Sequence, residues 1–377
     1  MAMLEPDIAR LFEREVDRFL ADRSPADHTG AAAAGGWQAY ADLGWLGIMV
    51  PEAYGGMGGG LSDYLIVARG IGGALLKAPI TLAAVVGTEL ALHVDDEGQR
   101  QTLLNGLCDG SLVPGLVRSG ADTPGAGSEP VTASPDAGGV RLTGRCFCVP
   151  HAGDANLLLV VARSVGGDDG LYLVNPASDG LELHSYPMID DRNAATVTFD
   201  RVFVPGDRRL AMSSVAAAME KAGLSAAVAT AAEAAGAMRA LNELTLEHVR
   251  SRRQFGRALA DFQVLQHRLV DMMIAERRSA AIVRTAAEAI DTGSPFAARL
   301  TAAAKITADR AGRFVGEAAI QLHGGMGMSE ECAAGRYLKR LLYLAQSWGV
   351  ADDHLDRLAD TIMDELEQET ADVRHDA

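Results

Sequence analysis

The sequence predicts an α+β multidomain fold: an N-terminal α-helical domain over residues 1–112, a middle β domain of barrel or sandwich type over 113–209, and a C-terminal four-helix bundle over 210–377. Three observations carry this. Apolar residues recur at helical spacings near the start, as Ile8, Leu11, Phe12, Val16 and Phe19. Near residue 113 the texture changes to short β-branched or alternating runs broken by Gly, Pro and Asp. From about 210 onward, long Ala-rich segments follow one another with few loop residues between them, which is the pattern of an up-and-down bundle. A length of 377 residues allows roughly two or three domains at about 100–200 residues each, and 48% hydrophobic residues suffice for buried cores.

Taken in order, the first helical block is interrupted by a Gly-rich turn from Tyr54 to Gly60. It reads as a loop between helices, because no Gly-Lys-Ser/Thr follows to make it a phosphate loop. The strand candidates are Val140–Thr143, Leu157–Ala162, Gly170–Val174 and Thr196–Phe199. Ser213-Ser214 then caps a helix reaching about Arg250, Asp261 caps a second running to Asp291 with Gly293 just past its end, and Ser294-Pro295 opens a third. In the second, Leu265, Leu269 and Met272 line one face until Glu276 breaks the stripe, and Met272-Met273 read as core. The tail from Asp360 to Ala377 reads as a final helix and a frayed end.

Composition excludes several function classes. A net charge of −16, with no basic stripe, argues against nucleic acid. The longest run of large apolar residues, Leu157–Val161, falls far below the roughly 20 needed to span a bilayer. An N-terminus carrying Glu5, Asp7, Glu13, Glu15 and Asp17 lacks a signal pattern, so the expected location is cytoplasmic. The four cysteines, Cys108, Cys146, Cys148 and Cys332, are too scattered for a disulfide framework. Cys146-x-Cys148 is half of a metal pattern without a second pair, and reads better as two small strand residues.

Four segments carry a family resemblance. They are Gly47-Ile-Met-Val-Pro-Glu-Ala-Tyr-Gly-Gly-Met-Gly58, Val197-Thr-Phe-Asp-Arg-Val-Phe-Val-Pro205, Arg252-Arg-Gln-Phe-Gly-Arg-Ala-Leu-Ala-Asp-Phe-Gln263, and Gln321-Leu-His-Gly-Gly-Met-Gly327 followed by Arg336-Tyr-Leu-Lys-Arg340. In content and order they resemble the acyl-CoA dehydrogenases, which implies that family's fold, FAD as cofactor, an acyl-CoA substrate and electron-transfer flavoprotein as acceptor. The implied cofactor contacts are Arg252, Gln254, Phe255, Gln263, Gln321, Gly324 and Gly325. Physical chemistry is compatible with this: a fork-shaped guanidinium suits a pyrophosphate, the glutamines offer donors and acceptors to a cofactor rim, Phe255 can pack against it, and the glycines allow close backbone approach. The competing reading makes Arg252 and Arg253 favourable charges at a helix C-terminus and the Gly pair a helix cap. His323 beside the pair reads as a satisfied core histidine, and Glu330-Glu331 as acids favouring a helix start.

Where the chain departs from the family is equally informative. The family's base is a glutamate that takes the α-proton of the thioester while the β-hydride leaves to the flavin. Counting from Gln321 puts Trp348 at that position, and the alternative base position falls on Ala226. The Trp-Ile-Thr that contacts the flavin ring corresponds to Cys148-Val-Pro150, and a related upstream motif survives as Asp122-Thr-Pro-Gly-Ala-Gly-Ser128. In the family the glutamate and β domain come from the chain that owns the flavin, whereas the Arg252 and Gln321 motifs reach in from a neighbour. This chain keeps the neighbour's set and has mostly lost the owner's. That pattern, and the ending Trp348-Gly-Val-Ala-Asp-Asp-His354, is similar to one subunit of the heteromeric α2β2 acyl-CoA dehydrogenases of bacterial steroid side-chain degradation, with a partner subunit supplying the base. Two alternatives remain: a self-sufficient homotetramer with a relocated base, such as Glu233, Asp352 or Asp353, and a non-catalytic scaffold on the same fold. Glu233 lies roughly 10 Å along the helix from Ala226 by helix rise, too far for the same proton unless the substrate shifts.

Overall fold

The structure is a computed structural model that describes residues 6–21, 36–118, 128–360 and 362–363. Its first block is helical: α1 (Pro6–Ala21), α2 (Gly36–Asp42), α3 (Leu61–Ala74), a π-wound stretch Leu82–Gly87 running into α4 (Thr88–Leu92), and α5 (Glu97–Cys108). Of the apolar stripe expected on α1, Phe12 and Val16 are buried, but Ile8 and Leu11 are exposed. The helix leans on α3 where Val16 and Leu20 flank Gly70 and Glu13 pairs with Arg69 at 3.2 Å. The Gly-rich segment is the expected interhelical loop, and Gly60 is the N-cap of α3.

The middle block is one curled sheet, seven-stranded among the described residues: β1 (Pro114–Val117), β2 (Glu129–Asp136), β3 (Gly139–Pro150), β4 (Leu157–Ser164), β5 (Asp169–Val174), β6 (Leu181–Pro187) and β7 (Asn193–Pro205). Its order is β1-β4-β2-β3-β7-β6, with β5 also on β4. Side chains alternate across a strand, so the apolar run of β4 feeds two cores at once. Leu158, Val160 and Ala162 join Tyr172, Val197 and Phe199 inside the curl, whereas Leu157 and Leu159 face Leu90, Leu104 and Ala222 of the helices. Cys146 and Cys148 both lie on β3.

The last block contains α6 (Val215–Ser251), a two-stranded hairpin β8 (Arg253–Gln254) and β9 (Arg257–Ala258), α7 (Gln263–Asp291), α8 (Ala297–His323), a 3-10 turn Gly324–Met328, and α9 (Ala333–Gln346). Ser214 caps α6 by accepting from the Ala217 N–H. Asp261 does not cap α7. It accepts from the Ala258 N–H inside the 3-10 turn that precedes the helix. Leu269 and Met272 are buried as the stripe predicts, but Met273, about 100° further round the helix, is exposed with Val264, Val270 and Ile274 on the outer face. A further helical stretch covers 351–360, and the tail beyond 363 lies outside the described residues. No helix among the described residues is long and apolar enough to cross a membrane.

Two contacts lock the N-terminal helices to the bundle. A Cβ on Gly72 would run into the Glu233 carbonyl, and one on Gly236 into the Arg69 carbonyl, so α3 and α6 touch backbone to backbone. Asp291, the last residue of α7, caps α3, accepting from the N–H groups of Leu61 at 2.7 Å and Ser62 at 2.9 Å. These are charge-assisted bonds to orphan helix donors. Asp291→Ala is expected to lower stability by about 1–2 kcal/mol, read as a fall in the urea midpoint, with Asp291→Asn keeping most of it.

Candidate functional site

Four charged side chains meet where the three blocks join. Asp190 and Arg192 come from the tight turn between β6 and β7, Glu233 from the middle of α6, and Arg340 from α9. Arg192 Nε donates to Asp190 Oδ2 at 2.7 Å and Arg340 Nε to the same oxygen at 2.8 Å. Arg340 Nη1 donates to Glu233 Oε1 at 2.9 Å, and Arg192 Nη2 lies 3.6 Å from that oxygen. Arg340 also donates to the carbonyls of Leu76 at 2.9 Å and Leu75 at 3.4 Å, just past the end of α3. The other face of Arg192 covers the Tyr343 ring at 4.1 Å. Arg340 is only 1% exposed, so these charges pair with one another almost without water, although Arg192 Nη2 is buried with no hydrogen-bond partner among them. Burial favours a neutral Asp190, yet Arg192 and Arg340 outweigh it and hold the carboxyl below its ordinary 3.8.

Above this cluster lies a cavity of about 130 Å³. Its walls include the end of β3 at Cys148, Pro150 and His151, then Arg192 and Glu233, and finally Trp348 just past α9. Leu82 and Val86 of the π-wound stretch line it too. Left-handed backbone crowds around it: Cys148 (φ 52°), His151 (58°), Asp191 (61°), Trp348 (60°) and Leu75 (53°) are all non-glycine residues at positive φ. Such strain persists only where surrounding contacts over-determine the conformation, and it gathers at functional sites. His151 is buried, with Nδ1 3.6 Å from Asp154 Oδ2, and its burial pushes the imidazole below its ordinary 6.5.

The two base positions inferred from sequence part company here. Trp348 lines the cavity, whereas Ala226 is packed in the apolar cluster with Leu90 and Leu104 and does not line it. Glu233 does line it, one oxygen already taken up by Arg340. Asp353 accepts from the Val350 N–H and Asp352 is exposed, and neither lines the cavity. On β3 the Cys148 N–H donates to Tyr186 Oη, and Pro150 has no N–H to offer. Ser128 Oγ accepts from the Phe147 N–H, while residues 122–127 of its motif lie outside the described residues. Asp190, Arg192 and Arg118 were not singled out from sequence. The only signal was a knot of charge, Asp190-Asp-Arg192, in a turn between apolar strands.

The remaining candidates gather at the far end of the bundle. Arg252 ends α6, Gln254 and Phe255 sit on the β8–β9 hairpin, Gln263 starts α7, and Gln321, Gly324 and Gly325 close α8. His248 stacks on His323 at 4.3 Å, which brings the ends of α6 and α8 together. His323 is buried and bonded to the Ala319 carbonyl at 2.9 Å, as a core histidine would be. All seven candidates are exposed, and Phe255 is 90% exposed at a positive φ of 54°. Gly324 ends α8 at a positive φ, so its capping role accounts for it. Gly325 has no such role, and a Cβ there would meet nothing within 4 Å. Burial first, then His323 and Arg252, hold His248 below its ordinary 6.5, and Arg250, Arg252, Arg253 and Arg257 make this end of the bundle rich in guanidiniums. An exposed aromatic, a bare glycine and a group of guanidiniums fit an anionic cofactor bound from outside the chain. From Glu233 to Arg252 is 19 residues of helix, about 28 Å.

Comparison with known proteins agrees with this architecture. The family models for the acyl-CoA dehydrogenase N-terminal and C-terminal domains match residues 2–111 and 216–363. The probable acyl-CoA dehydrogenase YngJ of Bacillus subtilis is 27% identical over 83% of this chain and 85% of its own. Among solved structures, a variant of the steroid ACAD Tcur3481-Tcur3483 superposes with a TM-score of 0.82 at 27% identity, covering 96% of this chain and 99% of that one. The ChsE4-ChsE5 complex from Mycobacterium tuberculosis gives a TM-score of 0.84 at 21% identity, again covering 96% and 99%. The chain belongs to the acyl-CoA dehydrogenase family.

Two outcomes test the buried cluster. Arg340→Met leaves two carboxylates short of a partner and should destabilise by about 3–5 kcal/mol, whereas Arg340→Met with Glu233→Gln should recover part of that loss. The pH dependence has two limbs. Asp190 sits below its ordinary 3.8, so its contribution is complete above that value and disappears as pH falls through the folded value; Asp190→Asn flattens this limb. His151 is held neutral, so a cost appears as pH falls below 6.5; His151→Gln removes it, which urea midpoints between pH 5 and 8 will show.

Proposed function

We propose that this chain is one subunit of a heteromeric, cytoplasmic, FAD-dependent acyl-CoA dehydrogenase. It presents Arg252, Gln254, Phe255, Gln263, Gln321, Gly324 and Gly325 to a flavin seated on a second acyl-CoA dehydrogenase chain, and that partner supplies the glutamate base. When bound, FAD accepts the β-hydride of an acyl-CoA thioester, and electron-transfer flavoprotein takes the electrons onward. In this chain Arg252 would hold the pyrophosphate, Phe255 would pack against the cofactor, and Gly325 would leave room for its close approach. The observation that carries the reading is the split between the two sites. The exposed set at the bundle's end is intact and faces outward, while the chain's own cavity is walled by Trp348 and Pro150. The outer face of α7, with Val264, Val270 and Ile274 exposed, offers apolar surface for subunit contact. Two structural relatives are described as a steroid ACAD and a two-chain complex, and a steroid side-chain CoA ester is the substrate class this supports.

One observation favours a second reading, a self-sufficient homotetramer with Glu233 as base: Glu233 does line the cavity. Its Oε1 already accepts from Arg340 Nη1 and lies 3.6 Å from Arg192 Nη2, so the carboxylate is engaged by the buried charges and not turned freely to a substrate.

The decisive measurement is the visible spectrum and native mass of the chain, expressed alone and with an acyl-CoA dehydrogenase chain encoded beside it. Colourless protein alone, and one FAD per pair of unlike chains together, is the expected result. A yellow homotetramer bleached by acyl-CoA would sink the proposal. In the assembled complex, Arg252→Ala should weaken FAD retention by at least about tenfold, and Arg252→Lys should not restore it fully, because an ammonium cannot form the bidentate pair.

A further inference from the structure

Beside the inner cavity runs a second, larger space of about 560 Å³, between the N-terminal ends of α6 and α8 and the 351–360 helix. The inner cavity and this outer groove have two residues in common and no others: Arg118 and Trp348. The Arg118 guanidinium lies over the Trp348 ring at 4.8 Å, so the shared wall is one stacked pair.

The wall is held on both sides. The peptide carrying Trp348 is left-handed at φ 60°, and Gly349 follows at 92°. His354 Nε2 donates to the Trp348 carbonyl at 3.0 Å, and the Asp353 carboxylate accepts from the Val350 N–H at 3.1 Å. On the other side Lys305, fully buried, donates to the carbonyls of Leu344 at 3.2 Å and Ala345 at 3.3 Å at the end of α9, with Asp309 as its counter-ion at 2.7 Å. A loose loop would not be pinned by a buried ammonium before it and a histidine after it.

We propose that Trp348, stacked on Arg118, is the specificity-determining partition of this chain: it stands between the outer groove and the inner cavity, and so keeps an acyl chain that enters along the groove from reaching the inner cavity. The ligand class rests on the acyl-CoA reading above, whereas the partition rests on the geometry alone. Beyond the wall the inner cavity offers Leu82, Val86, Leu116 and Leu344, which would bury methylenes if they could reach it. Each methylene so buried tightens binding by about fourfold.

The test is calorimetric titration of the full chain, in the assembly in which it purifies, with butyryl-CoA and dodecanoyl-CoA. At the site on this chain, the unsubstituted protein should bind the two esters within about threefold of each other. Trp348→Ala, and the milder Trp348→Leu, should tighten dodecanoyl-CoA by at least about tenfold and butyryl-CoA by less than about threefold, at an unchanged one equivalent per copy of this chain. Trp348→Phe keeps an aromatic ring against Arg118 and should behave as the unsubstituted protein. Strong preference for dodecanoyl-CoA before any substitution, at one equivalent per copy of this chain, overturns the partition. So does the absence of a gain in variants that retain the parent melting temperature. Repeating the titration with dodecanoate separates the two proposals. If neither thioester binds any form, yet dodecanoate binds Trp348→Ala at least tenfold tighter than the parent, the partition stands and the acyl-CoA reading falls.

Discussion

The buried quartet of Asp190, Arg192, Glu233 and Arg340 is the constraint on which the rest of the structure depends. Two acids and two guanidiniums cancel in charge, but removing four ions from water is costly, so the quartet is better understood as a device for registration than as a source of stability. It has one satisfactory geometry. Reaching it requires the β6–β7 turn, the middle of α6, the face of α9 and the carbonyls past the end of α3 to arrive at the same point. The sheet and the bundle are thereby fixed relative to each other, and the cavity forms where they fail to fill the space between them. The glycine seam between α3 and α6 reinforces this, since Glu233 stands at the place where the two backbones touch.

The chain keeps apart what a self-contained flavoenzyme would combine. One end of the bundle is open, rich in guanidiniums and capped by an aromatic side chain that no residue of the described chain covers. The junction between the blocks is strained and crowded by an indole and a proline. Neither feature alone would be informative, because exposed hairpins and filled cavities are common. Their combination within one member of the acyl-CoA dehydrogenase family is the observation on which the proposed subunit role rests.

Much of this was legible in the sequence, and the remainder was not for a definite reason. Local signals worked: Ser214 capped its helix, Leu269 and Met272 were buried on schedule, and the strand candidates lie within strands. Helical and strand periods are short-range properties, and each was written within a dozen residues. The quartet is different. Arg340 meets Asp190 across 150 positions and Glu233 across 107, so nothing near any of the four names its partner. Glu233 drew notice as an acid on an Ala-rich helix, but whether it served a substrate or a guanidinium depended on α9. Likewise Trp348 was conspicuous for what it replaced, and only the folded chain showed it standing between two spaces. Where local rules misled, as at Asp261 and Met273, the error was one of a few residues at an element's edge or one step round its surface.

α6 has a mechanical consequence as well. With 37 residues it is a rod of about 55 Å, gripped near its middle by the Arg340 ion pair and, toward the hairpin, held by the apolar packing of Leu241 and Val249 and the His248–His323 stack. A rod held in that way is a lever. The arm from Glu233 to Arg252 is about 28 Å, so a tilt of about 2° at the grip carries the hairpin through roughly 1 Å. That is comparable to the tolerance of a bidentate contact, so the placement of the Arg252 guanidinium on the surface answers to the packing of a charge buried about 28 Å away in the same chain.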